Sequence, residues 1–434
     1  MRLVIVGSGK IACGYLAPLF AAAGWQVTLA CRAAQTADRI RRAAGWGVEV
    51  TGASPFARTV TGVAAVRAGS FAFRRAVADA DLLVTAVGVG NVATLGEPLA
   101  DALAGRRRPI DIWVVENGDC AAGLRSAILA ASSGRPLPAF GIAGAVATVA
   151  VGRGGWGPGE RPVFVGDADR VLTVDRNGLL GQVPTLDGVR ATASYLARLH
   201  EKLYVFNAGH AITAYLGWLG GHDSMDRAIG DPLVRPIVVG CLLEARRAVL
   251  AAYPCLVGGS EFNAAADIHG PVAAALARYA DRQLADPVNR VAREPIRKLA
   301  PGDRLLGPVR LIRSVGGSVP AHFALGVAAA LLYGRGRDDA AGRDAQARVL
   351  RGQLASRGVM AVLDEFCCLS EDDPFTHAVA ERYRGFVFAD DAVLFPPVHT
   401  TDALLAPRMD GPSTGRFSPS APHALASGAL RNGQ

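Results

Sequence analysis

The nine residues Lys202-Leu203-Tyr204-Val205-Phe206-Asn207-Ala208-Gly209-His210 combine an amine, an amide and an imidazole in one short stretch. Lys10, Lys202 and Lys298 are the only lysines among 46 basic residues, and arginine carries the rest of the positive charge. Arginine keeps its proton at any usable pH, whereas a desolvated lysine can lose it and act as a base. The stretch reads as helix, and at ~100° per residue Asn207 lies about 140° and His210 about 80° round the axis from Lys202. The three thus occupy less than half the circumference, within reach of a long lysine stem. A proton acceptor beside two groups that can hold an oxygen is what alcohol oxidation requires. The base takes the hydroxyl proton, and its neighbours hold the oxygen while hydride leaves the carbon. A capping Asn and a core His would be spelled the same way, so the surrounding elements decide.

Those elements begin at the first residues. Positions 2–6 form a short apolar strand that runs into Gly7-Ser8-Gly9-Lys10-Ile11-Ala12-Cys13-Gly14, a helical run from Tyr15 to Ala23, and a second strand at 26–30. Strand, glycine-rich turn, helix and strand within thirty residues make a dinucleotide-binding unit in its expected context. Gly7 makes the tight turn, Gly9 admits the pyrophosphate, Ala12 stands where a third glycine often does, and Lys10 and Ile11 complete the turn. The phosphates would rest on the helix N-terminus. A bare strand–helix turn is the alternative.

The end of the second strand separates NAD(H) from NADP(H). It reads Leu29-Ala30-Cys31-Arg32 and meets no acid before Asp38. A missing carboxylate and an available arginine favour NADP(H), although Arg32 reads equally as a solvated surface residue. Asp81 to Gly90 is a buried-looking strand whose glycine end, with Val87 and Gly88, suits backbone lying against a cofactor. Residues 110–115 form another strand that runs into Glu116-Asn117-Gly118. Asn117 is a substrate or nicotinamide contact at a strand's carboxyl end, or a turn-forming Asn-Gly. Runs at 140–151 and 163–175 extend or close the sheet.

After Gly188 the pattern becomes helical, over 189–200, 202–217, 233–252, 262–284, 321–333, 340–356 and 373–385. The expected fold is α/β: a Rossmann-type domain over 1–189, a mainly helical domain over 190–386, and a C-terminal extension over 387–434. That extension is rich in Pro, Ser, Gly and Ala, and its last ~15 residues are expected to be disordered. Arg290, Arg293, Arg297, Lys298 and Arg304 lie close together, broken by Pro295 and Pro301, so they cannot share one regular helix. Converging guanidinium groups would select a phosphorylated substrate; a solvated basic loop is the other reading.

Composition excludes several classes. Half the residues are hydrophobic and 19% charged, as in a globular chain. No apolar run reaches the ~18–20 residues of a membrane span. The start lacks a cleavable hydrophobic segment, so a cytoplasmic protein is expected. Seven cysteines without a Cys-x-x-Cys pair suggest neither a disulfide framework nor a structural zinc. The net charge of +8 suits an anionic ligand. The arginines are scattered and aromatics few, which disfavours nucleic acid.

Together these stretches resemble the metal-independent, polyol-specific long-chain dehydrogenases of the mannitol dehydrogenase family, in their mannitol-1-phosphate 5-dehydrogenase branch. The likeness runs from residue 1 to about 385. It rests on the glycine-rich turn, Thr85-Ala86-Val87-Gly88, Glu116-Asn117, the run Lys202 to Tyr215, and the run Arg293 to Leu305. It implies that Lys202 is the general base, that Asn207 and His210 polarise the reacting oxygen, and that Asn117 assists. It also implies that Arg290 and Lys298 bind the open-chain polyol; Arg293, Arg297 and Arg304 are the phosphate candidates. A hexitol phosphate and a ketose phosphate would interconvert without metal, in a monomer or homodimer. The sequence departs from the family at three points. Cys31-Arg32 replaces the usual acid. Gly144 to Val149 replaces an Asp-Ser-Ala-Val-Asp-Arg run. The extension has no counterpart. The same chemistry on another sugar or a cyclitol, or a non-catalytic NAD(P)-binding protein, are the alternatives.

Overall fold

In the computed structural model, described residues are 1–52, 54–157, 161–258, 263–284, 286–335, 344–388, 393–397 and 416–417. Strands β1 (Arg2–Val6) and β2 (Gln26–Cys31) flank the glycine-rich turn as expected. They are followed by β3 (Gly45–Val50), β4 (Phe56–Thr61), β5 (Ala64–Arg67), β6 (Leu82–Thr85), β7 (Ile110–Val115) and β8 (Phe140–Ala147). Next come β9 (Val151–Arg153), β10 (Val163–Gly166), β11 (Leu172–Asp175) and β12 (Val189–Thr192).

The main sheet runs β12-β11-β8-β7-β6-β1-β2-β5. From β5 to β8 every pairing is parallel, whereas β11 joins β8 antiparallel. Strand β6 is buried at every position, the signature of a parallel strand covered on both faces. Apolar clusters lie on each face: Phe20, Leu29 and Trp113 on one, Phe73, Leu83 and Leu99 on the other. This is a Rossmann-type sheet, and loops at the carboxyl ends of β1, β6 and β7 meet where its strand order reverses.

Two expectations are corrected here. Val163–Gly166 does not extend the main sheet: it lies in a second sheet ordered β4-β3-β10-β9. Its partner β3 buries Trp46, Val48 and Val50 in strict alternation, a period-two pattern passed over in the sequence. Nor does helix begin at 189. Val189–Thr192 pairs in parallel with β11, and the helical part starts at Tyr195.

Beyond that point helices dominate. Helix Asn207–Leu219 is buried on nearly every side, packed among Val234–Ala252 and Ala321–Leu331. A helix with no polar face belongs at a domain's centre. The expected helix over 262–284 is narrower, a π-turn at Ala264–His269 and an α-helix at Gly270–Tyr279. The one expected over 340–356 runs instead over Ala345–Cys367, with non-helical backbone at Gly358; residues 340–343 lie outside the described ones. Prolines split the basic segment into the short helices Val288–Ala292 and Pro295–Lys298. Most of the extension, including its last ~15 residues, lies outside the described residues. No helix among those described is long and apolar enough to cross a membrane.

Candidate functional site

The Lys202 stretch is not a continuous α-helix. Glu201–Phe206 forms a π-helical turn between helices Tyr195–His200 and Asn207–Leu219, closed by the Asn207 N–H donating to the Lys202 carbonyl. An i→i+5 bond seats Asn207 about one turn above Lys202, closer in angle than a regular helix would allow. Lys202, Asn207 and His210 line one cavity of about 330 Å3. Lys10 and Ile11 from the glycine-rich turn and Asn117 past β7 line it too, so both halves of the molecule build it.

Lys202 is half-buried and makes no hydrogen bond or ion pair among the described residues. Burial first, then the Arg278 and Arg304 guanidinium groups, push its amine down to about 7, against the opposing pull of Asp167 and Asp169. Near neutral pH it can therefore stand uncharged. The Asn207 side-chain nitrogen is buried with no partner among the described residues, an unusual state for an amide beside a cavity. His210 stacks on Tyr279 at 5.2 Å, with its Nε2 3.4 Å from Asp286 Oδ2. Burial lowers the imidazole's pKa while Asp286 pulls the other way. Burial alone would raise the Asp286 carboxyl, but His210 and Arg290 overrule it and hold it below the ordinary range. The stacking needs Gly209, because a Cβ there would stand 2.9 Å from the Tyr279 hydroxyl and 2.6 Å from Leu242.

The nucleotide turn fits a dinucleotide. Gly7 has φ +131°, and a Cβ on it would sit 2.3 Å from the Ala86 carbonyl oxygen. At Gly9 a Cβ would meet nothing within 4 Å, leaving open backbone for a pyrophosphate to approach. Ala12 opens a π-turn, Ala12–Leu16, at the helix start. The Glu116 carboxylate accepts the Val87 N–H at 2.7 Å and the Gly88 N–H at 2.8 Å, fixing the loop after β6. Arg32 is exposed immediately after β2, with no bond or ion pair among the described residues. Among the described residues no three His, Cys, Asp or Glu side chains converge to hold a metal ion.

Lys10, grouped by sequence with the cofactor residues, turns into the cavity and donates to the Gly152 carbonyl. Burial, Arg290 and Arg293 lower its amine to about 8, with Asp286 opposing. The basic segment lines the same cavity with Arg290, Arg293, Arg297, Lys298 and Arg304. Its charges are unequally available. Arg290 Nε donates to Asp286 Oδ1 at 2.6 Å. Arg297 pairs with Glu294 at 2.8 Å and Asp303 at 2.9 Å, and Arg304 with Asp303 at 2.7 Å. Lys298 is buried and donates to the Arg293 carbonyl; burial and its neighbours Arg304 and Arg297 hold its amine well below the ordinary lysine value.

Sequence reasoning missed Arg278, Tyr279, Asp286 and Asp167. Arg278 pairs with Asp167, donates to the Thr148 carbonyl at 2.7 Å, and supplies the first charge depressing Lys202. Burial raises the Asp167 carboxyl to about 6 despite that arginine. Only Asp286 left a readable signal, its i,i+4 spacing to Arg290. A second cavity of about 290 Å3 shares Thr148, Lys202, Phe206 and Arg278 with the first.

Comparison with known proteins matches residues 1–135 to the mannitol dehydrogenase Rossmann domain and residues 194–385 to the mannitol dehydrogenase C-terminal domain. Mannitol 2-dehydrogenase of Pseudomonas fluorescens, solved as a ternary complex with NAD and D-mannitol, is similar with TM-score 0.71 and 16% identity. That match covers 88% of this chain and 91% of that one. D-Sorbitol dehydrogenase in substrate-free form is similar with TM-score 0.64 and 14% identity, over 88% of this chain and 92% of that one. At such identities these two structures speak for the fold alone. With both domains matched in order over most of its length, the chain belongs to the mannitol dehydrogenase family of oxidoreductases.

Proposed function

We propose that the protein is a metal-independent NAD(P)-dependent oxidoreductase that interconverts a polyol phosphate and a ketose phosphate, of the mannitol 1-phosphate and fructose 6-phosphate type. The observation that carries the reading is an amine of pKa about 7, without a bonding partner among the described residues, in the cavity beneath the nucleotide turn and beside Asn207 and His210. A bound nicotinamide supplies the hydride acceptor or donor. In oxidation Lys202 takes the hydroxyl proton, the carbon loses hydride, and the products are ketone, reduced cofactor and one proton. The Asn207 amide nitrogen, unpartnered among the described residues, is free to donate to the reacting oxygen, and Asp286 holds the His210 ring beside it. Asn117 joins them from the Rossmann side.

Arg32, exposed at the end of β2 without a bond or ion pair among the described residues and with no acid in sequence before Asp38, supports NADP(H) over NAD(H). The cationic lining of the cavity supports the phosphate. A second reading keeps the chemistry but changes the substrate to another sugar or a cyclitol. It is favoured by Thr148 and Val149 lining the cavity, where the resembled branch carries an acidic and basic run. Nicotinamide absorbance with fructose 6-phosphate and free fructose, each with both reduced cofactors, tests the proposal. Turnover of the phosphate ester alone, faster with NADPH, is expected. Turnover of neither, with tight cofactor binding, would favour the second reading, and failure to bind either cofactor would sink both.

A further inference from the structure

The cations around the cavity differ in what already neutralises them. Arg278 faces Asp167, Arg290 faces Asp286, and Arg297 and Arg304 share Asp303. Lys298 is turned inward onto a carbonyl. Two remain besides Lys202. Among the described residues Lys10 bonds only the Gly152 carbonyl, and Arg293 only the Arg290 carbonyl, through Nε at 3.3 Å. A carbonyl accepts a hydrogen bond but cancels no charge. Arg293 thus keeps both terminal nitrogens without a partner among the described residues.

The backbone that carries Arg293 is built at a cost. The next residue, Glu294, has φ 60° and ψ 55°, a left-handed conformation that strains a non-glycine residue. Two groups hold it there: Asp344 accepts the Glu294 N–H at 2.7 Å, and Lys298 donates to the Arg293 carbonyl. Strain kept in place by charged groups beside a cavity points to a use for the residue it presents. Lys10, on the nucleotide turn of the other domain, stands close enough to Arg290 and Arg293 for their charges to lower its pKa. Asp286, the acid that also acts on Lys10, is already paired with Arg290, so the two cations on this cavity repel until an anion lies with them.

We infer that Lys10 and Arg293 together form the seat for a phosphate group of the substrate, clamped between the two domains, and that Arg297 and Arg304 instead hold the surrounding loop through Asp303. This rests on the polyol–ketose reading and names the residues that would set its substrate class. The cofactor's pyrophosphate offers the same chemistry and is the competing source of an anion at Lys10.

Three measurements on the full chain decide it. Calorimetric titration with inorganic phosphate should show saturable binding that weakens about 10- to 100-fold in Lys10→Gln/Arg293→Gln, the range of charge-assisted bonds. It should weaken less in Arg293→Lys, which keeps the charge and, if correctly folded, controls for a collapsed turn. The kcat/KM ratio of ketose phosphate to free ketose should drop by a similar factor in the double variant. Absence of phosphate binding to the natural protein, or binding unchanged in the double variant and lost in Arg297→Gln, would overturn the seat. So would weakened NADPH binding, followed by fluorescence, with phosphate discrimination intact, since the anion would then belong to the cofactor. Phosphate bound as expected by a protein that turns over no polyol or ketose would leave the seat standing and remove the oxidoreductase reading instead.

Discussion

The turn around Lys202 and the turn around Lys298 each carry one of the three lysines, the first half-buried and the second buried, and in both cases desolvation and neighbouring arginines lower the amine's pKa. They differ in where the nitrogen points. Lys298 is 4% exposed and its amine is tied to the Arg293 carbonyl by a donated hydrogen bond. Lys202 has no partner among the described residues and faces open space. A depressed pKa therefore marks desolvation, and a base needs an unoccupied nitrogen as well. Of the two turns, only the first offers the unoccupied nitrogen that the proposed proton transfer requires.

The sharpest way to break that contrast is to remove the amines one at a time. Lys202→Ala should lower turnover ~10²–10⁴-fold, the usual contribution of a general base. Near-normal activity in steady-state assays would transfer the role elsewhere. The pH profile should locate the same group. Oxidation needs the neutral amine, so kcat/KM should climb through pH about 7 and level off above it, while reduction should decline over the same window. In Lys298→Met the Arg293 carbonyl loses its buried donor, and urea unfolding should register a loss of about 1–3 kcal/mol. The inflection near pH 7 should stay in place in that variant; if it moves with Lys298 and not with Lys202, the two assignments are reversed. The smallest effect expected is at the cofactor's far end. Arg32→Ala should weaken NADPH binding about tenfold, or ~1.4 kcal/mol, relative to NADH, and equal losses with both would reject the 2′-phosphate contact.

Much of this was legible in the chain before folding. The scarcity of lysine made Lys202 conspicuous, and the glycine spacing after β1 located the nucleotide turn, because both are local signals. The change from strand to helix was also visible, to within a few residues, as a change of period. The π-turn at Glu201–Phe206 was not, since an i→i+5 register leaves no distinctive residue pattern. Arg278 was invisible for another reason. Its worth comes from standing beside a lysine 76 positions earlier in the chain, a proximity that only tertiary packing creates. The sorting of the basic cluster into paired and unpaired charges likewise depends on which acids fold against it. Asp303 lies within that segment, yet nothing in the spelling says that it answers Arg297 and Arg304 together.

The Glu116 side chain sets a demand that reaches past its own strand. Each of its two oxygens meets a main-chain hydrogen, from Val87 and from Gly88. The amide of the same shape would turn one of those oxygens into an NH2 pointing at a hydrogen, so an isosteric swap would force the segment apart instead of merely loosening it. The grip on a nicotinamide would then be set by a residue that need never touch one, and a redesign that broadened this cavity would have to leave that acid alone.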